Sequence, residues 1–147
     1  MKANSKKISD KKNTGPLSGL RILDLSRILA GPTCTQLLGD YGADIIKVEK
    51  PGSGDDTRAW GPPYAKDENN EDTAESAYYL SSNRNKRSIT LDISKKDGLK
   101  TLKSLLNHSD VLIENFKVGS LAKYGLDYET LSHELSLIHI SEPTSPD

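Results

Sequence analysis

The sequence predicts an α/β fold, a parallel sheet covered by helices. Two observations carry that prediction. Short apolar, β-prone runs recur at 21–25, 44–48, 87–93 and 111–113. Helix-like segments bounded by glycine and proline signals lie between them, and alternation of this kind implies parallel strands joined by helical crossovers.

Each element has its own local reason. Arg21 to Leu25 reads as a first strand, and Ala30-Gly31-Pro32 then turns the chain. Pro32 suits the first turn of a helix, because its missing N–H would be unpaired there anyway. The predicted helix runs from Thr33 to Tyr41, with Leu37 and Leu38 toward the sheet and Gly42 as its stop. Asp44 to Val48 reads as a buried second strand. The stretch from Gly52 to Glu75 is a long polar connection, of a length usually tied to function. Ala74 to Ser82 suits a short helix, and the alternating run Arg87 to Ile93 a third strand. Ser94-Lys95-Lys96-Asp97 has the spacing of a capping box, ahead of a helix whose apolar face is Leu99, Leu102, Leu105 and Leu106. Val111-Leu112-Ile113 is apolar throughout and predicts a central strand. Short helices are expected at Ser120 to Tyr124 and Tyr128 to Glu134. The first strand lacks the GxGxxG fingerprint that dinucleotide-binding folds carry there, so a Rossmann-like sheet is expected without dinucleotide chemistry.

Composition narrows the functional classes. The chain has 147 residues, a formal net charge of −1 and 34% hydrophobic residues. That is enough for about one domain with a modest core. The charge balance argues against a nucleic-acid binder, and the short apolar runs argue against a membrane span. No His/Cys spacing predicts a metal site. The single cysteine, Cys34, fits a reducing compartment and a structural, buried role. Residues 1–15 are polar with five lysines and no apolar stretch, which predicts a disordered tail and no secretory signal.

The segment GADIIKVEKPGSGDDTR, residues 42–58, has the most chemistry in it. A buried strand empties into a loop with Gly52 and Gly54, bracketed by Lys50 and Arg58. In open α/β sheets ligands bind beyond the carboxyl ends of strands, and glycines let a ligand approach the backbone. On local features alone, a ligand loop and a plain surface turn are both open. The same holds for Lys86-Arg87, which could meet phosphates or form a solvated pair. Trp60 reads as a packing anchor for the long connection.

RILAGP after the first strand, GADIIKVEKPGSGDDTR after the second, NRNKRSITLD at the third and DVLIENF at the fourth occur in one order. Together they resemble the family III CoA-transferases, of CaiB/BaiF type, over about residues 16–134. DDTRAWGPPY and NRNKRS look most like the branch that uses succinyl-CoA with glutarate or another dicarboxylate. Asn115 stands where the racemase branch more often has proline, which favours a transferase over an α-methylacyl-CoA racemase-like member. The resemblance implies a Rossmann-like large domain within an interlocked homodimer. Acyl-CoA and a carboxylic acid would be substrates, with no permanently bound cofactor and no nucleic-acid or membrane partner. Position by position, it implies coenzyme contacts at Leu29, Ala30, Lys50, Leu91, Asp92, Asn115, Phe116 and Lys123. The phosphates of coenzyme A call for cations and exposed amides, and Lys50, Arg58, Lys86, Arg87 and Lys123 are the candidate cations.

The family reaction is covalent. An aspartate attacks the acyl-CoA thioester, giving a mixed anhydride and CoA thiolate. The thiolate returns to form an aspartyl-CoA thioester, and the acceptor acid then takes up CoA. None of Asp24, Asp44, Asp55, Asp56 or Asp92 matches that aspartate. The expectation is therefore an N-terminal part of the large domain, without the nucleophile and inactive alone. A non-catalytic CoA-binding short form is the alternative. Residues 135–147 resemble translated adaptor sequence and are expected to be a non-native tail. Mitochondrial localisation is expected by resemblance, with cytoplasmic as the alternative.

Overall fold

The computed structural model describes residues 14–134 and 138–141. Most of the N-terminal tail and of residues 135–147 therefore lies outside the described residues. The elements run β1 (Arg21–Asp24), α1 (Ala30–Asp40), β2 (Asp44–Glu49), a 3₁₀ turn (Asp56–Ala59), β3 (Tyr64–Lys66), β4 (Asp72–Ser76), α2 (Ala77–Ser81) and β5 (Lys86–Thr90). Then come α3 (Lys96–Leu106), β6 (Val111–Glu114), a 3₁₀ turn (Ala122–Tyr124), α4 (Tyr128–Glu134) and β7 (Ile138–Ser141).

The main sheet is parallel, in the order β5-β2-β1-β6-β7. The chain builds outward from β1 through β2 to β5, then returns to β1's other side with β6. The sheet therefore has a topological switch point at β1, where α/β folds place their ligands. β7 pairs with β6 in register from Val111–Ile138 to Glu114–Ser141.

Side chains alternate across a strand, so register assigns each residue to a face. One face carries Leu23, Leu25, Ile46, Val48 and Leu112, packed with Leu102 and Leu106 of α3 and Leu131 of α4. The other face begins apolar, with Ile22, Ile45, Val111 and Ile113 packed against Leu38 of α1. Toward the carboxyl ends it turns charged. Asp24, Lys47 and Glu49 fall there, and Lys86, the first residue of β5, reaches Asp24 from the same face; all four side chains are almost wholly removed from solvent.

That charged end corrects the expected orientation of α1. The helix starts three residues before the predicted Thr33, and its inward residues are Gly31, Pro32, Thr35 and Gln36. Leu37 is 50% exposed, and only Leu38 reaches the core. The inner face is small and polar because the sheet beneath it is polar: Thr35 Oγ1 donates to Asp24 at 2.6 Å. Gly31 has no substitute there, since a Cβ would collide with Ser26. Cys34, expected to be buried, is exposed.

The long connection is ordered as a 3₁₀ turn and the antiparallel β3–β4 hairpin, so Asp72–Ser76 is strand where helix was expected from Ala74. Ser76 joins the two pieces. Its hydroxyl donates to Thr57 O at 2.5 Å and caps α2 by accepting from Tyr79 N–H at 3.0 Å. Ser76→Ala should cost about 0.5–2 kcal/mol in a urea denaturation, the usual range for losing an N-cap. An unchanged midpoint would count against the cap. Trp60 is 47% exposed and meets Tyr78 edge-on, with ring centroids 5.2 Å apart, so it does not serve as a buried anchor. The expected capping box does not form. Lys95 is the N-cap of α3 without a side-chain bond, and Ser94 turns back to Asp92. Among the described residues, no helix is long and apolar enough to cross a membrane.

Candidate functional site

The segments that follow β1, β2, β5 and β6 converge at the carboxyl end of the sheet. They enclose a cavity of about 340 Å³, lined in part by Ser26, Arg27, Lys50, Gly54, Leu91, Asp92 and Phe116. Of the positions read from sequence, Lys50, Leu91, Asp92 and Phe116 are brought together here. Leu29, Ala30, Asn115 and Lys123 are not part of the lining. Leu29 is the half-exposed N-cap of α1, and Ala30 is its first residue. Asn115 is buried with its amide spent on Arg27. Lys123 is exposed, 4.9 Å above the Tyr124 ring.

Beneath the cavity lies a network of buried charge. Lys47 Nζ donates to Asp55 at 2.9 Å and to Ser26 O at 2.9 Å, with the Lys47 and Asp55 side chains 1% and 0% exposed. Asp55 also accepts from Ile28 N–H, Thr57 N–H and Thr57 Oγ1. Burial alone would raise the pKa of Asp55, but the Lys47 charge and these donors outweigh burial and lower it. Ser26 relays to a second pair, since its N–H and hydroxyl both donate to Asp24. Lys86 reaches that carboxylate at 3.3 Å, and also Pro32 O and Asn83. Burial pushes Lys86 down to about 8, against the pull of Asp24.

Glu49, the last residue of β2, anchors the loop. Arg58 grips it with Nε at 2.7 Å and Nη2 at 2.7 Å. Tyr79 OH, Ser88 Oγ and Asp55 N–H donate to the same carboxylate. Burial works against ionisation here too, but these donors prevail and hold Glu49 at about 2. The Arg58 guanidinium lies 3.8 Å from the centroid of Tyr79's ring and also meets Glu75. Gly54 must be glycine: its φ is 65°, and a Cβ would come within 2.7 Å of Arg58 and Glu49.

These bonds redistribute the expected cations. Arg58 is committed to Glu49, and Lys86 is buried on Asp24. Arg87 sits on Asp44, at the start of β2 and away from the cavity. Arg27 was not singled out from sequence, yet it lines the cavity. Its side chain is 49% exposed, with the guanidinium 5.2 Å from the Phe116 ring centroid and 3.3 Å from Asp56. The accessible positive charge at the mouth is therefore Arg27 and Lys50. Phe116 and Leu91 supply apolar walls, and Asp92 supplies a hydrogen-bond acceptor, held ionised by Ser94. Such a site suits a flat polar group that carries phosphate. Among the described residues, no cluster of metal-ligating side chains is present.

A family model described as CoA-transferase family III matches residues 17–140. The chain is 53% identical over 116 residues to a succinate–glutarate CoA-transferase of Agrobacterium fabrum, covering 79% of the chain and 29% of that protein. It is 51% identical over 123 residues to the succinyl-CoA:glutarate CoA-transferase of Homo sapiens, covering 84% of the chain and 26% of that protein. The crystal structure of a CaiB/BaiF family protein from Brucella suis superposes with a TM-score of 0.80 at 51% identity, over 86% of the chain and 33% of that structure. The chain thus spans less than a third of the length of these curated relatives.

Proposed function

We infer that the chain, which belongs to CoA-transferase family III, builds the nucleotide end of a coenzyme A site. The enzyme we propose moves CoA from an acyl-CoA, with succinyl-CoA as donor, to a carboxylic acid, with glutarate as acceptor. The observation that carries this reading is the convergence of Lys50, Leu91, Asp92 and Phe116 on one cavity at the switch point of the sheet. A volume of about 340 Å³ is at the small end for ligand pockets, so it takes the nucleotide and leaves the pantetheine arm outside. Lys50 and Arg27 would face the phosphates, Phe116 would pack on the base, and Asp92 would accept from a hydroxyl or amine.

In this reading the chain binds and orients. Asp55 and Glu49 already answer to Lys47 and Arg58, and neither is presented as a nucleophile. The attacking carboxylate is proposed to come from sequence that the longer relatives have beyond the matched region. A homodimer and mitochondrial location belong to the same proposal and rest on the family resemblance alone.

Calorimetric titration of the chain with coenzyme A tests the reading. Saturable binding is expected, weakening with salt, and Lys50→Ala should raise Kd by about ten- to a hundredfold, since a hydrogen bond to a charged group contributes about 1.5–3 kcal/mol. Absence of binding, or binding that NADH displaces equally well, would sink it.

A further inference from the structure

Ile28 has φ of 71°, in the left-handed region. A β-branched side chain is a genuine outlier there and stays only where its surroundings hold it. Two buried groups do so from different loops. Asn115, after β6, accepts from Arg27 N–H at 2.8 Å and donates to Arg27 O at 2.7 Å. Asp55, after β2, accepts from Ile28 N–H with both carboxylate oxygens at 3.3 Å. Asp55 is itself fixed by Lys47 Nζ, by Thr57, and through its own N–H by Glu49.

The consequence is a mechanical link across the cavity. Arg27 hangs on the clamped turn, and Lys50 starts the loop that contains Asp55. Asp55 is unsuited to meet a phosphate itself, because it is an anion. Its carboxylate, neutralised by Lys47, faces the backbone instead.

Resting on the coenzyme reading above, we propose that Asp55 is a positioning residue for the coenzyme site: by holding Ile28 in its left-handed conformation it sets the spacing between Arg27 and Lys50. A glycine at position 28 adopts that conformation without strain, so it should make the site less dependent on Asp55.

The test is a four-chain cycle: the unaltered chain, Asp55→Asn, Ile28→Gly and the double variant. Each is checked for fold by circular dichroism and titrated with coenzyme A. Asp55→Asn should raise Kd about tenfold when introduced into the unaltered chain and threefold or less when introduced into Ile28→Gly. A purely structural role would lower the folded fraction and leave the Kd of folded protein equal in both backgrounds, which would overturn the proposal. If Asp55→Asn does not fold, amide exchange in the unaltered chain decides. Coenzyme A should then slow exchange at Ile28, Asp55 and Thr57 together, and no slowing at Ile28 overturns the proposal. Binding by the unaltered chain with no Asp55 dependence defeats only this inference; no binding by the unaltered chain defeats the coenzyme reading and this inference with it.

Discussion

Lys47→Met is expected to destabilise the folded chain by about 3–5 kcal/mol, the range for removing one partner of a buried ion pair. Lys47 and Asp55 lie 2.9 Å apart with side chains 1% and 0% exposed. Methionine fills much of the same space, so the loss is electrostatic: it strands a carboxylate that water cannot reach. The exposed pair Lys66–Asp72 is a useful contrast. It is shorter, at 2.7 Å, but its side chains are 51% and 58% exposed. Lys66→Met should fall in the range of surface pairs, about 0–1 kcal/mol. Distance alone would rank the two pairs the other way, and burial decides. Adding Asp55→Asn to Lys47→Met should cost less than the sum of the two single changes, because the second removes the charge that the first stranded. Urea denaturation of these variants beside the unaltered chain measures this. A loss under about 1 kcal/mol for Lys47→Met, the surface range, would mean that water reaches Asp55.

Much of the fold was legible because the strands that carry it are short and apolar. Ile22, Ile45 and Val111 need little context to read as strand, and α3 declares itself through Leu99, Leu102, Leu105 and Leu106. The 52–75 stretch was not legible, since its order comes from tertiary bonds such as Ser76 to Thr57 and Arg58 to Glu49. Leu37 misled for a related reason. Hydrophobicity predicts which face of a helix is buried only when the surface beneath is apolar, and here Asp24 waits beneath Thr35. The cavity itself was half legible. Lys50, Leu91, Asp92 and Phe116 came from resemblance, and Arg27 escaped because a cation after a strand has no pattern of its own. A signal for the charge network did exist. Asp24 and Lys47 interrupt strands that otherwise read as buried, and a charge at such a position must have a partner.

Glu49 gives the chain an acid-labile joint. Its pKa falls from 4.5 to about 2 in the folded state, so the native protein holds the carboxylate more tightly than the unfolded chain does. For a depressed acid, the stabilisation is complete above the unfolded value. It fades as pH drops from about 4.5 toward 2, where the folded protein also takes up the proton. The difference between the two states corresponds to about 3 kcal/mol at neutral pH. Glu49→Gln should therefore lower stability at neutral pH by an amount of that order, and the gap should close as pH falls. The loss is expected to be local first, because Glu49 ties together Arg58, Tyr79, Ser88 and the Asp55 amide. Releasing it frees the β2 loop, and with it Lys50, from the hairpin and from β5. Chemical denaturation of both chains from neutral pH down to about 2 measures the gap directly. Parallel pH profiles would show that Glu49 does not ionise as this geometry requires. If coenzyme A binding weakens over the same interval in the unaltered chain but not in Glu49→Gln, the joint also governs the site.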